Sequence, residues 1–228
     1  MIRVTLSGAA VGTGAAAALP PVSASFATGT VTLLASEGSP RQTVLSLVAS
    51  GRMRLDGGSV TAVDEHGRTM SPARLRRAVA LVDTPLVAEH SDDVSIATVV
   101  KEELAMSRGR SRGTRPAAIT ERRPFGSLDG EARLALLTEL VLLRPDVGAL
   151  VITAPERHGG DPARWWRLLR DVAAGGRGGP ADGVAVLVIT DHATVTHIER
   201  LPQQEPMGAD ALPLFELDFL MSPESARS

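Results

Sequence analysis

Three short stretches carry residue types at spacings that can do chemistry. Between an apolar stretch and a helix-like one lies Ala35-Ser36-Glu37-Gly38-Ser39-Pro40-Arg41-Gln42-Thr43. A small-residue, glycine-containing loop that opens a helix is a place where backbone amides can face an anion. Ser127-Leu128-Asp129-Gly130-Glu131 precedes a leucine-rich helical stretch and is the second motif. The third, Gly12-Thr13-Gly14 followed by Ala17, spells G-x-G-x-x-A after IRVTL, the pattern of a pyrophosphate turn and of a dinucleotide-binding α/β protein. Pro20-Pro21 ends any helix there after a turn or two, so a small-residue loop between strands is the preferred reading. His158 near Asp161, and Asp191-His192 with His197, are metal-ligand types; isolated loop histidines are read as solvated, and no metal site is assigned. No G-x-S-x-G occurs, and no catalytic residue is assigned.

The elements that must position these residues alternate in type. IRVTL (2–6) reads as a strand, and 22–34 as two short strands about Gly29. Val44, Leu45, Leu47 and Val48 fit a short helix, 56–67 a hairpin element, and ARLRRAVALVD a helix passing into a strand at Val82. Residues 107–124 are dense in Arg, Gly and Pro and read as a mobile surface loop. EARLALLTELVLL (131–143) has helical leucine spacing and stops at Arg144-Pro145. ALVIT (149–153) and VAVLVIT (184–190) are continuously apolar, as buried parallel strands are, and Asp161-Pro162 starts a helix between them through Val172. Trp165 and Trp166 on that helix divide between core and surface. LPLFELDFLM near the C-terminus reads as an edge strand with a frayed tail. Strand, helix, strand with unbroken apolar strands gives a parallel α/β core.

Composition narrows the function classes. The chain has 228 residues, 43% hydrophobic and 22% charged, which is ordinary globular usage. A formal charge of -2 gives no electrostatic case for nucleic acid or an anionic membrane. The absence of cysteine excludes disulfide scaffolds, thiolate metal sites and thiol catalysis, and agrees with a reducing compartment. No apolar run approaches the roughly 18 residues of a membrane span. Residues 8–25 imitate a secretory signal, but their glycines and Pro-Pro pair make a poor apolar helix. Of the 24 basic residues only Lys101 is a lysine.

The order of elements, with Leu142-Leu143-Arg144-Pro145-Asp146, Asp161-Pro162-Ala163 and the strand ending in Thr190-Asp191-His192, resembles the nucleotide-binding domain of the ATP-binding cassette (ABC) transporter family over roughly residues 2–200. The resemblance implies an α/β, P-loop NTPase-like fold with a mainly parallel sheet, an antiparallel β subdomain, a helical insertion at about 84–130 and a C-terminal extension at 206–228. It also implies that 35–43 stands for G-x-x-G-x-G-K-S-T, whose amides and lysine hold phosphates while the serine meets Mg²⁺, so that Gly38, Ser39, Arg41, Gln42 and Thr43 are the residues of a vestigial phosphate loop. Here Pro40 lacks an N–H, Arg41 replaces the lysine with a bulkier planar fork, Gln42 has no hydroxyl and Glu37 adds a negative charge. Lys101, in VVKEELA, cannot substitute. The family's L-S-G-G-E becomes Ser127-Leu128-Asp129-Gly130-Glu131. Its metal-binding Asp and catalytic Glu fall on Thr153 and Ala154, its switch histidine on Asp191 with His192 one place late, and its glutamine near Asp83 or Thr84. No aromatic residue precedes Phe26 to stack on adenine.

The expectation is therefore a degenerate ABC-type subunit that does not hydrolyse ATP. It would serve as a structural or regulatory partner of a multi-pass membrane protein or a competent ABC ATPase, as a homo- or heterodimer, cytoplasmic and peripheral on the membrane. No cofactor and no nucleic acid is expected. The alternative is weak ATP binding, with Arg41 on phosphate and a metal shifted to Thr43.

Overall fold

The computed structural model describes residues 1–107, 117–176 and 180–201. Two sheets form its frame. The first is antiparallel, in the order β2-β1-β4, from β1 (Arg3–Val11), β2 (Leu19–Ala27) and β4 (Gly57–Val63). The second is parallel, in the order β3-β7-β6-β5, from β3 (Val31–Ala35), β5 (Val79–Val82), β6 (Ala149–Thr153) and β7 (Ala185–Thr190). Every residue of β6 and β7 is buried. Apolar side chains on both faces are what a central parallel strand needs, because helices cover both sides.

Helices α1 (Ser39–Ala49) and α2 (Pro72–Ala78) lie on the sheet face shared with the antiparallel sheet, around Leu6, Phe26, Val48, Val151 and Leu187. Helices α3 (Ile96–Met106), α4 (Gly130–Leu142), α5 (Pro162–Ala173) and α6 (His192–Glu199) build the core on the other face, around Leu136, Leu150, Ile152, Leu169 and Val186. Most helices start on a side-chain cap. Ser71, Ser95, Asp129, Asp161 and Asp191 each accept from an amide of the first turn, a contact worth about 1 kcal/mol. Trp165 is buried and Trp166 half-buried, as their positions on α5 predict.

The structure corrects the pyrophosphate-turn pattern. Gly12-Thr13-Gly14 sits at the tip of the β1–β2 hairpin, where Gly14–Ala16 make one short 3-10 turn and the chain returns antiparallel. No helix starts there, so the pattern opens no dinucleotide site. In contrast, residues 35–43 do form a strand-to-helix loop, from β3 into α1. Much of the Arg-rich stretch and all of LPLFELDFLM lie outside the described residues. Among the described residues, no helix is long and apolar enough to cross a membrane.

Candidate functional site

The carboxyl edge of the parallel sheet is where α/β folds place their ligands. Four connections meet there: 36–38 after β3, 83–91 after β5, 154–161 after β6, and Asp191 after β7.

Gly38 has φ +84°, a backbone state that a side chain disfavours, and this turn starts α1 one residue later. Pro40 is tolerated because it lies in the first helical turn. The amides of Arg41 and Gln42 donate to the Gly38 carbonyl at 3.0 and 3.1 Å, and that of Ser36 to Thr190 O at 2.8 Å. Gln42 is buried and folds back, with Nε2 donating to Ser36 O at 2.8 Å. Thr43 is also buried, its hydroxyl 3.5 Å from Pro85 O. Gly38, Ser39, Pro40 and Arg41 are exposed, and Arg41 makes no ion pair among the described residues. Glu37 turns the other way. Its Oε1 accepts from the His192 amide at 3.1 Å and lies 3.1 Å from His192 Nδ1, tying this loop to the start of α6.

At the end of β6 the side chains close on one another. Thr153 Oγ1 is 2.6 Å from Ser46 Oγ and 3.1 Å from Thr84 Oγ1, all three residues fully buried. Ser46 gives its proton to Gln42 O at 2.8 Å. A hydroxyl has one proton, so Thr153 must donate to Ser46 and Thr84 to Thr153, a directed chain that ends on the α1 backbone. Ala154 follows with φ +50°, left-handed without being glycine, at a cost of about 1–2 kcal/mol.

Beside this chain Asp83, 5% exposed and itself at φ +52°, gathers two arginines and a histidine. Its carboxylate lies 2.8 Å from Arg157 Nη2, 2.7 Å from His158 Nε2 and 3.4 Å from Arg133 Nε. Burial pushes the Asp83 carboxyl up, but the His158 hydrogen bond and the Arg157 and Arg133 charges outweigh it and hold it below the usual range. Arg157 also donates to Thr153 O at 3.1 Å, joining the ionic cluster to the hydroxyl chain. Arg133, on α4, is itself buried; it pairs with Asp92, and its guanidinium stands 4.3 Å over the Phe125 ring. His90 places its two ring nitrogens 3.4 Å from Glu102 and 3.5 Å from Glu103, and Glu103 also pairs with Arg144. The Glu103 hydrogen bond, against burial, raises the His90 pKa. A cleft of 430 Å³ opens beside the cluster, lined by Leu86, Glu89, His90, Asp92, Arg133 and His158.

Sequence reasoning located Asp83 and Thr84 without finding their partners. His158 is corrected from solvated to an ion-pair partner of Asp83, its side chain 19% exposed. Asp191 caps α6 through Thr194 N at 2.6 Å, and His197 is 3.9 Å from Asp161. Among the described residues no group of three His, Asp or Glu is arranged to hold a metal. In the second motif Ser127 and Leu128 lead into α4, Asp129 caps it through Ala132 N at 2.8 Å, and Glu131 pairs with Arg164 at 2.7 Å. Gly130 has a structural reason of its own, because a Cβ there would stand 2.7 Å from Gly159 O and 3.1 Å from His158 O. The motif thus packs against the connection after β6.

No protein-family model and no curated protein matches the chain. Solved structures do. A nucleotide-free ATP-binding cassette from an ABC transporter aligns over 88% of this chain and 85% of its own, with 16% identity and a TM-score of 0.54. The ATP-binding subunit of another ABC transporter covers 86% and 82% at 16% identity and 0.53. An ABC-transporter ATP-binding protein from Pyrococcus furiosus covers 83% and 92% at 10% identity and 0.52. This chain has the ATP-binding-cassette fold.

That fold implies Mg-ATP at the carboxyl edge, and the residues present do not fit it. The loop of this cassette-like chain has lost one amide at Pro40 and bonds two others internally. Where a divalent ion needs carboxylate oxygens, Thr153 offers a hydroxyl committed on both sides and Ala154 offers none.

Proposed function

We propose that this chain is a degenerate ABC-type ATP-binding subunit that does not hydrolyse ATP and acts as a structural or regulatory partner of a membrane protein or of a competent ABC ATPase. The observation that carries the reading is the closed Ser46–Thr153–Thr84 chain at the end of β6, braced by Arg157 and Asp83. It supports a site held together by its own side chains, so that neither metal nor nucleotide is needed to order it. The dimeric and membrane-associated arrangement is part of this proposal, by analogy with ABC transporters.

Titration calorimetry and thermal melts with Mg-ATP test the first half. A ligand present at 100 times its Kd stabilises a fold by about 2.7 kcal/mol, and a domain of this size moves about 2–4 °C per kcal/mol. The expected result is no heat, no melting shift at millimolar Mg-ATP and no phosphate release. Turnover would overturn the reading. A pull-down of the intact chain tests the second half, the expected result being co-purification of an ABC ATPase or a multi-pass membrane protein.

A second reading, weak ATP binding through Arg41, is favoured by one observation: that guanidinium is exposed and lacks an acidic partner among the described residues. Saturable binding abolished by Arg41→Ala would select it.

A further inference from the structure

The last described helix and an unfilled apolar recess meet at the same end of the molecule. Both α1 and α6 run back antiparallel to the parallel strands that precede them, so Gly51 and Leu201 lie near the amino edge of the sheet, on opposite faces. Beneath the end of α1, between β4 and α2, is a recess of 180 Å³ lined by Val48, Met53, Leu55, Val60, Met70 and Leu75. An apolar cavity of about 150 Å³ takes up benzene, so one phenyl ring is a suitable guest. Met70 also lines a groove of 540 Å³ that continues past Ala78 and Gly148 to Pro180 and Gly183.

The rim of the recess is cationic. Arg54 stands exposed between Met53 and Leu55, and Arg74, Arg76 and Arg77 stand exposed on α2, while the Arg52 guanidinium donates to the Val79 and Arg76 carbonyls at 2.8 and 2.7 Å. Arg74 pairs with Asp64; Arg54, Arg76 and Arg77 have no acidic partner among the described residues. Burial, Arg144 and Arg76 together lower the Arg52 pKa, as crowded cations do. The acids Glu65, Asp146 and Asp182 line the groove and not the recess, as do Arg74 and Arg77, which leaves Arg54 and Arg76 as the unpaired cations beside the recess.

We propose that this recess is the docking site of the chain's own segment 212–221, with Phe215 or Phe219 seated in it and Glu216 and Asp218 against the arginine rim. Residues 202–228 contain five acidic residues and one arginine, and two of the chain's four phenylalanines. Within LPLFELDFLM, Phe215, Leu217, Phe219 and Met221 alternate with Glu216, Asp218 and Leu220, so one side of an extended segment is apolar and the other acidic. Fourteen residues of reach from Leu201 to Phe215 span up to roughly 46–50 Å. Crossing four strands requires about 14 Å, and the sheet-to-helix layers roughly 10 Å each way.

The test uses the full chain with ¹³C-methyl methionine, whose six methyls include Met53 and Met70 in the recess and Met106 on α3, away from it. Expected are Met53 and Met70 methyls shifted by an aromatic ring and giving nuclear Overhauser contacts to it. Both features should be lost in Phe215→Ala/Phe219→Ala, with Met106 unmoved. In Arg54→Glu/Arg76→Glu, checked for folding by circular dichroism, the shift should shrink without those substitutions entering the recess. Unchanged Met53 and Met70 signals in the phenylalanine variant overturn the proposal, whether or not the recess accepts a fatty acid or another protein. Shifts that vanish on dilution overturn it too, because they place the segment in a second copy.

Discussion

The connections after β3 and after β6 lie at the same edge of the same sheet and have opposite characters. Residues 37–41 are exposed and carry an unpaired Arg41, whereas Thr153, Thr84, Asp83 and Ser46 are buried and held by one another or by neighbouring side chains. The first keeps the shape of an anion loop, with the Arg41 guanidinium open to water. The second is closed by contacts among its own side chains. The comparison teaches that polar residues can vary at little cost where they face water, and need internal partners where they are buried, because a buried polar group without a partner is expensive.

The strongest challenge to that contrast is Asp83→Asn, which leaves Arg133, Arg157 and His158 facing a neutral group. Breaking a buried charge cluster costs about 3–5 kcal/mol, and urea denaturation should register it; a variant as stable as the parent would show that the cluster does not brace this edge. Thr153→Val keeps the volume and removes the middle of the hydroxyl chain, with an expected loss of about 1–3 kcal/mol, read by the same measurement. Next comes pH. The folded pKa of His90 is raised above its unfolded value of about 6.5, so its stabilisation is fully present below that value and is lost as pH rises through the folded one. The urea midpoint of the parent should therefore fall as pH rises above about 6.5, and that of His90→Gln should fall less. Least affected is Arg41→Ala, which should leave stability within about 0.5 kcal/mol; a larger loss would mean that the open loop also has hidden partners.

The fold was largely legible in the sequence because periodicity is local. The apolar runs 149–153 and 184–190, Asp161-Pro162 and the Arg144-Pro145 stop each mark their element without help from distant residues. The ionic cluster was not, since Asp83 meets Arg133, Arg157 and His158 across 50 to 75 positions, and nothing in a charge pattern tells which distant partners a carboxylate finds. His158 shows the limit most plainly: its neighbours Gly159 and Gly160 suggest a solvated loop, while packing turns its ring inward. The loop 35–43 lay between these cases. Its place between strand and helix followed from the pattern, but the inward fold of Gln42 onto Ser36 O did not.

The acidic groups around this edge also shape how the chain can change. Asp83 is held by Arg133, Arg157 and His158, Asp191 caps α6, Glu37 meets His192, and Glu156 accepts from Thr190 at 2.6 Å. A carboxylate placed at 153 would arrive among hydroxyls and beside an occupied acid, and one at 154 on a left-handed backbone. Each step toward a metal site is thus destabilising until the others accompany it. The closed edge works as a ratchet: single substitutions drift freely around the exposed loop after β3, while those at the end of β6 must come together or not at all.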